Sequence, residues 1–259
     1  MAQPNGQFAL DQYMMHHVEN SHVWHLPFIP AVPLPAPLSL HLMMILIASA
    51  LLIYLFCRAF NCKEKYPRGR LTNALEAMVI FIRDEIAIET LGEEEGKKMA
   101  PLFCSLFFLI LTLNLMGLIP LFSTATANYN VTGGLMLVTF FYMTVGAIRK
   151  NGFKAFCHAF VLPGLPKAIL PLAIFLEIVS FFVKPFVLML RLFANLLGGH
   201  FVLLTLTGLT VVLGLYVLPV VVPLAIFVYG LEIIVAFFQA YVFTILSATY
   251  IGQMYHPEH

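Results

Sequence analysis

Charge is scarce along this chain. Only 10% of its residues are Asp, Glu, Lys or Arg, whereas 61% are hydrophobic. A soluble domain of this size needs about 25% charged residues to cover its surface. Most of this surface therefore faces something apolar, and lipid is the solvent that fits. The net charge of +1 excludes a basic field for nucleic acid. The four cysteines, Cys57, Cys62, Cys104 and Cys157, lack CxxC or Cys/His metal spacing and read as free packing residues. Neither a metal nor any other cofactor is expected. Lys and Arg are absent from residues 1–57 and again from 121–148. The first 37 residues show no basic n-region and no apolar core, so no cleavable signal is expected and the first span serves as its own insertion signal.

What the chain does have is apolar length. A helix needs roughly 20 apolar residues to cross the hydrocarbon. Residues 38–57 and 99–122 supply this, and 131–148 form a slightly shorter third candidate. From 168 to 255 the only charges are Glu177, Lys184, Arg191 and Glu232. A break around Gly208, Gly214 and Pro219 separates residues 168–207 from 223–255. The first of these stretches would be about 60 Å long as one helix. It is either two short spans or one strongly tilted helix, and its polar residues favour a hairpin of two long tilted, near-horizontal helices.

Residues 71–91 differ. Leu71, Leu75, Met78, Val79, Ile82 and Ile86 recur at helical spacing, while Glu76, Arg83, Asp84 and Glu89 take other faces. This predicts an amphipathic helix that lies on the membrane or docks on a partner without spanning. The fold class is all-α integral membrane, a single membrane domain. It comprises an extracytoplasmic N-terminal segment (1–37), a first transmembrane helix (38–57), the amphipathic surface helix (71–91), a transmembrane helix pair (99–148) and the tilted hairpin (168–255), with a tail returning to water.

Basic residues orient the chain. Arg58, Lys63, Lys65, Arg68, Arg70, Arg83, Lys97 and Lys98 precede the second span, and Arg149, Lys150, Lys154 and Lys167 follow the third. Residues 58–98 and 149–167 are therefore expected inside, and the N-terminus and the 121–130 loop outside. Beyond Lys167 no basic loops remain and the rule falls silent; the C-terminus is expected in the cytoplasm.

Charges inside membrane helices cost about 2.5–3.5 kcal/mol each on insertion scales and usually mark an ion pathway. Glu177, Lys184 and Arg191 are spaced by seven and seven, so they share one stripe of a helix, which Asn195 and Gly198 extend. Glu177 and Lys184 either belong to that pathway or snorkel to an interface. Arg191, deep in the stretch between Leu-Met-Leu and Leu-Phe-Ala, has no such escape. Glu232 and Gln239 are also seven apart. If the hairpin turns near residue 215, positions whose numbers add to about 430 face each other. That register sets Arg191 against Gln239, His200 against Glu232 and Glu177 against Gln253. His200 lies about half a turn round from Arg191, so either the Gly198-Gly199 pair bends the helix or His200 opens on another side. A His–Glu pair beside water reads as a proton relay, with a structural ion pair as the alternative, and two ligands are too few for a metal site.

The segment Arg191-Leu-Phe-Ala-Asn195 followed by Gly199, Glu232 and Gln239 resembles subunit a of the rotary F-type ATP synthase. So do Leu176-Glu177-Ile-Val-Ser180 with Lys184-Pro185, Asn114-Leu-Met-Gly117-Leu-Ile-Pro120, and Tyr13-Met-Met-His16-His17. The motifs run over nearly the whole chain. The resemblance implies a proton-translocating stator subunit, no enzyme by itself and binding no nucleotide, whose hairpin faces a ring of c subunits. Partners would be that rotor ring, b-type peripheral stalk subunits, the rest of the synthase, the bilayer and protons. Arg191 resembles the essential arginine facing the ring carboxylate. Asn195, His200, Glu232, Gln239 and Asn114 resemble the outer half-channel, and Glu177 and Ser180 the inner one. Some bacterial members carry Glu and His in the reverse order, and an acidic residue where Gly117 stands. The expected location is a bacterial plasma (inner) membrane, with the mitochondrial inner membrane as alternative. His16, His17, His22, His25 and His41 read as solvated outer residues, with a proton-collecting role as the alternative. A stand-alone transporter binding substrate through Glu177, Arg191 and Glu232 would be expected to show similar halves, and none is seen. A scaffold would leave the one-sided charges unexplained.

Overall fold

In a computed structural model, residues 23–26, 29–33, 39–60, 69–119, 125–161 and 169–255 are described. Cys62, Lys63, Lys65, Arg68, Lys167, the histidines at 16, 17 and 22, and the tail beyond Tyr255 lie outside them, as do the side chains of His25 and His200. Two short strands, β1 (Val23–Leu26) and β2 (Ile29–Pro33), pair antiparallel. The sequence reading assigned no strand there; Val23, Trp24, Ile29 and Val32 are residue types that favour extended backbone.

Helices account for the rest. They are α1 (Leu40–Ala59), α2 (Arg70–Phe81), α3 (Glu93–Leu118), α4 (Tyr129–Phe141), α5 (Ala147–His158), α6 (Leu170–Leu213) and α7 (Leu218–Tyr255). π-helical turns extend α2 through Ile82–Ile88 and join α4 to α5 through Tyr142–Gly146. Among the described residues, five helices are long and apolar enough to cross a membrane: Leu40–Ala59, Glu93–Leu118, Tyr129–His158, Leu170–Thr210 and Leu218–Tyr255.

The third of these runs ten residues past the expected end at 148, interrupted at Gly152. Its basic residues made the segment read as a loop. The α6–α7 break is also tighter than expected. Gly208 stays helical, Gly214 alone takes φ 75, and α7 begins at Leu218 after one 3-10 turn. Glycine tolerates that left-handed conformation, and Pro219 falls in the first helical turn, where its missing N–H is not needed.

The chain divides into two compact units. One comprises Met1–Tyr54, Leu109–Thr132 and Leu192–Gln239; the other comprises Leu55–Phe108, Gly133–Arg191 and Ala240–His259. In the first unit, Leu40, Met44 and Ala48 of α1, at helical spacing, pack with Leu113 and Met116 of α3 and with Ala125. In the second, the amphipathic helix buries Leu75, Ile82, Ile86, Ala87 and Leu91. Its apolar face is seated on the chain's own helices: a Cβ on Gly96 of α3 would lie 2.6 Å from the Ala87 carbonyl, and one on Gly252 of α7 2.6 Å from that of Thr90. Leu71, expected in the stripe, is exposed. Elsewhere in this unit Thr139 and Ser247 share a buried hydrogen bond of 3.1 Å. Asn151 donates its amide to the carbonyls of Met254 and Tyr255 at 3.2 and 3.1 Å, capping the end of α7.

Candidate functional site

The polar residues singled out in the sequence separate between the two units. Asn114, Asn195, His200, Glu232 and Gln239 all fall in the first, and Glu177, Ser180, Lys184 and Arg191 all in the second. The division of α6 lies between Arg191 and Leu192.

In the first unit, α3 brings Asn114 into full burial, where its amide donates to the carbonyl of Ala236 on α7 at 3.3 Å. One turn further on α7, Gln239 is 4% exposed and accepts a 2.8 Å hydrogen bond from the amide of Asn195. One turn before Ala236, the carboxylate of Glu232 lies directly against Gly199, where any Cβ would displace it. Asn114 Oδ1, Gln239 Nε2 and both oxygens of Glu232 are buried with no hydrogen-bond partner among the described residues. Buried polar atoms are nearly always paired with protein or water, and leaving one bare costs about 1–3 kcal/mol. Glu232 and Gln239, two turns apart on α7, and Asn114 on α3 thus hold open hydrogen-bonding capacity, an arrangement able to pass protons through water.

In the second unit, Lys184 reaches Glu177 Oε1 at 3.7 Å and donates to Gln253 Oε1 at 3.1 Å. Ser180, between them on the stripe, is half-buried. Arg191, two turns beyond Lys184 on the same stripe, is half-buried and has no ion-pair partner among the described residues.

The expected register needs correction. Gln239 meets Asn195, one turn beyond the expected Arg191, and Gln253 meets Lys184, two turns beyond the expected Glu177. The expectation matched backbone levels. Helical side chains lean toward their own N-terminus. On antiparallel helices the two leans run in opposite directions, so the residues that touch have higher numbers than those standing level. The offset is greatest for the long Lys184–Gln253 pair. Glu232 faces Gly199, next to His200, but the His200–Glu232 pairing itself lies outside the described residues. α6 keeps helical backbone through Gly198 and Gly199, and Gly199 serves close packing.

Sequence reasoning missed three further polar groups of the first unit. The Tyr229 hydroxyl donates to the Leu118 carbonyl at 3.0 Å, the Ala236 carbonyl holds Asn114, and the Thr126 hydroxyl is buried without a partner among the described residues. Backbone acceptors carry no sequence signal, and hydroxyls in apolar helices usually bond their own backbone.

Known proteins resemble this chain over most of its length. The family model described as ATP synthase A chain matches residues 42–252. The ATP synthase subunit a of Anaeromyxobacter dehalogenans strain 2CP-C is 44% identical over 216 residues, covering 82% of this chain and 56% of that protein. The subunit a of Chloroherpeton thalassium is 38% identical over 260 residues, covering 95% of this chain and 77% of the relative. That of Myxococcus xanthus is 41% identical over 224 residues, covering 84% and 74%. The chain spans about half the length of the Anaeromyxobacter relative. With the family model running from α1 almost to the end of α7, the chain belongs to the ATP synthase A chain family.

Proposed function

We propose that this chain is the proton-translocating stator subunit of a rotary ATP synthase, with Arg191 as the residue that draws the proton off the rotor. The observation that carries this reading is the contrast within one stripe of α6. Lys184 is paired with Glu177, whereas Arg191 has no carboxylate among the described residues. A cation left without a partner in apolar surroundings fits one whose partner arrives on another subunit and leaves again.

The mechanism follows from electrostatics. A carboxylate on a ring of c subunits, carried through lipid in its neutral form, comes opposite Arg191. At about 4 Å and an effective dielectric near 20, the attraction between unit charges is about 4 kcal/mol, enough to favour the ionised form and release the proton. Asn114, Asn195, His200, Glu232 and Gln239 line the outer half-channel, and Glu177 and Ser180 the inner one. Arg191 stands between them as a positive barrier to direct leakage. The membrane potential supplies about 2.3 kcal/mol per charge per 100 mV. The hairpin α6–α7 lies tilted against the ring, and b-type stalk subunits hold the chain static. The N-terminus is outside and the C-terminus in the cytoplasm of a bacterial cell, with the chain in the inner membrane. It binds no nucleotide and is no enzyme by itself.

The Arg191→Ala change is expected to abolish ATP-driven proton pumping in vesicles carrying the whole complex; coupled pumping at the parent rate would overturn the reading.

A further inference from the structure

We propose that Glu177 serves to balance charge, cancelling Lys184 so that Arg191 is the one uncompensated cation on this stripe of α6 among the described residues. This rests on the reading of Arg191 given above.

Lys184 and Arg191 are seven residues apart, which sets two cations roughly 10 Å apart on one face of the helix. A stripe that attracts a passing carboxylate at Arg191 would attract it at a free Lys184 too. A second stopping place would hold the rotor between positions and let the carboxylate stay ionised at the wrong level. The chain carries two devices against this. Glu177 approaches the ammonium at 3.7 Å from two turns earlier, in the direction a helical lysine leans. Gln253 accepts from the same ammonium at 3.1 Å, turning it toward α7. The two charged side chains are 27% and 31% exposed. A lysine that merely snorkels would direct its ammonium to the interface and need neither partner. Arg191, on the same stripe, has no such pair of acceptors among the described residues.

The test compares Glu177→Gln with the double variant Glu177→Gln, Lys184→Gln in the complete synthase, reading ATP-driven proton pumping per assembled complex. Across roughly 10 Å at an effective dielectric near 20, a freed ammonium changes the carboxylate equilibrium about tenfold. Glu177→Gln alone is therefore expected to slow pumping about tenfold, and the added Lys184→Gln to recover most of that loss. A double variant no faster than Glu177→Gln overturns the charge-balancing role and leaves Glu177 with its place in the inner half-channel alone. Where Glu177→Gln lowers the amount of chain co-purifying with the ring, recovery of that amount in the double variant supports the proposal and continued loss contradicts it. The outcome is separate from that of Arg191→Ala: pumping retained there removes the stator reading, whereas failure of recovery here removes only the role of the pair.

Discussion

The two units handle polarity in opposite ways. In the one holding Glu177, Lys184 and Arg191, most polar groups with a described environment are partnered. Lys184 has Glu177 and Gln253, Thr139 has Ser247, and Asn151 caps α7, while Gly96 and Gly252 let the amphipathic helix press onto its neighbours. In the one holding Asn114, Glu232 and Gln239, the amide and carboxylate atoms keep unfilled capacity. A closely packed, satisfied region suits an anchor, and unfilled buried capacity suits proton passage. Arg191, unpaired among the described residues, is the last residue of α6 in the satisfied unit and departs from its rule.

Substitutions can break this contrast in order of size. Gly252→Leu drives a side chain into the Thr90 carbonyl, which is backbone and cannot swing away. Overpacking of this kind costs about 1–3 kcal/mol or more, so the complex should lose much of its heat resistance in detergent; an unchanged melting curve would refute the clamp. Next, Gly199→Val displaces the Glu232 carboxylate rather than backbone. Proton conduction in vesicles should fall several-fold with little change in assembly, and conduction at the parent rate would mean that Glu232 does not need that position.

A smaller effect is expected in the satisfied unit. Thr139→Val strands the buried Ser247 hydroxyl and should cost about 1–3 kcal/mol, whereas adding Ser247→Ala should restore most of it. A cycle showing simple additivity would contradict that bond. Smallest of all is Arg83→Gln. The Asp84 carboxyl is held below its ordinary range by the hydrogen bond and charge of Arg83, which favours the pair at neutral pH and fades as pH falls through the lowered value. Both side chains are well exposed, so no measurable stability change is expected at pH 7 in thermal melts.

Much of this was legible in the sequence, for physical reasons. Apolar length locates the spans because a bilayer demands about 20 residues per crossing, and a spacing of seven places Glu177, Lys184 and Arg191 on one stripe whatever the tertiary fold. Gly214 and Pro219 marked the turn. The fine register was not legible, because counting from a turn gives backbone levels and ignores the lean of Gln239 and Gln253. Nor could amphipathicity say what covers an apolar face: the periodicity of residues 71–91 fits lipid, a partner or, as found, the chain's own helices equally well. Gly199 was part of a recognisable motif, but its reason, room for the Glu232 carboxylate, needed coordinates.

Arg191 is assigned two roles, attractor and barrier, and one pair of readings on the Arg191→Ala variant probes both: ATP-driven pumping in vesicles, and passive proton conductance after the catalytic head is stripped off. Pumping is expected to disappear while passive conductance persists or rises, since the two half-channels lose the charge that separates them. Undiminished coupled pumping, with passive conductance equal to that of the parent, would refute both roles.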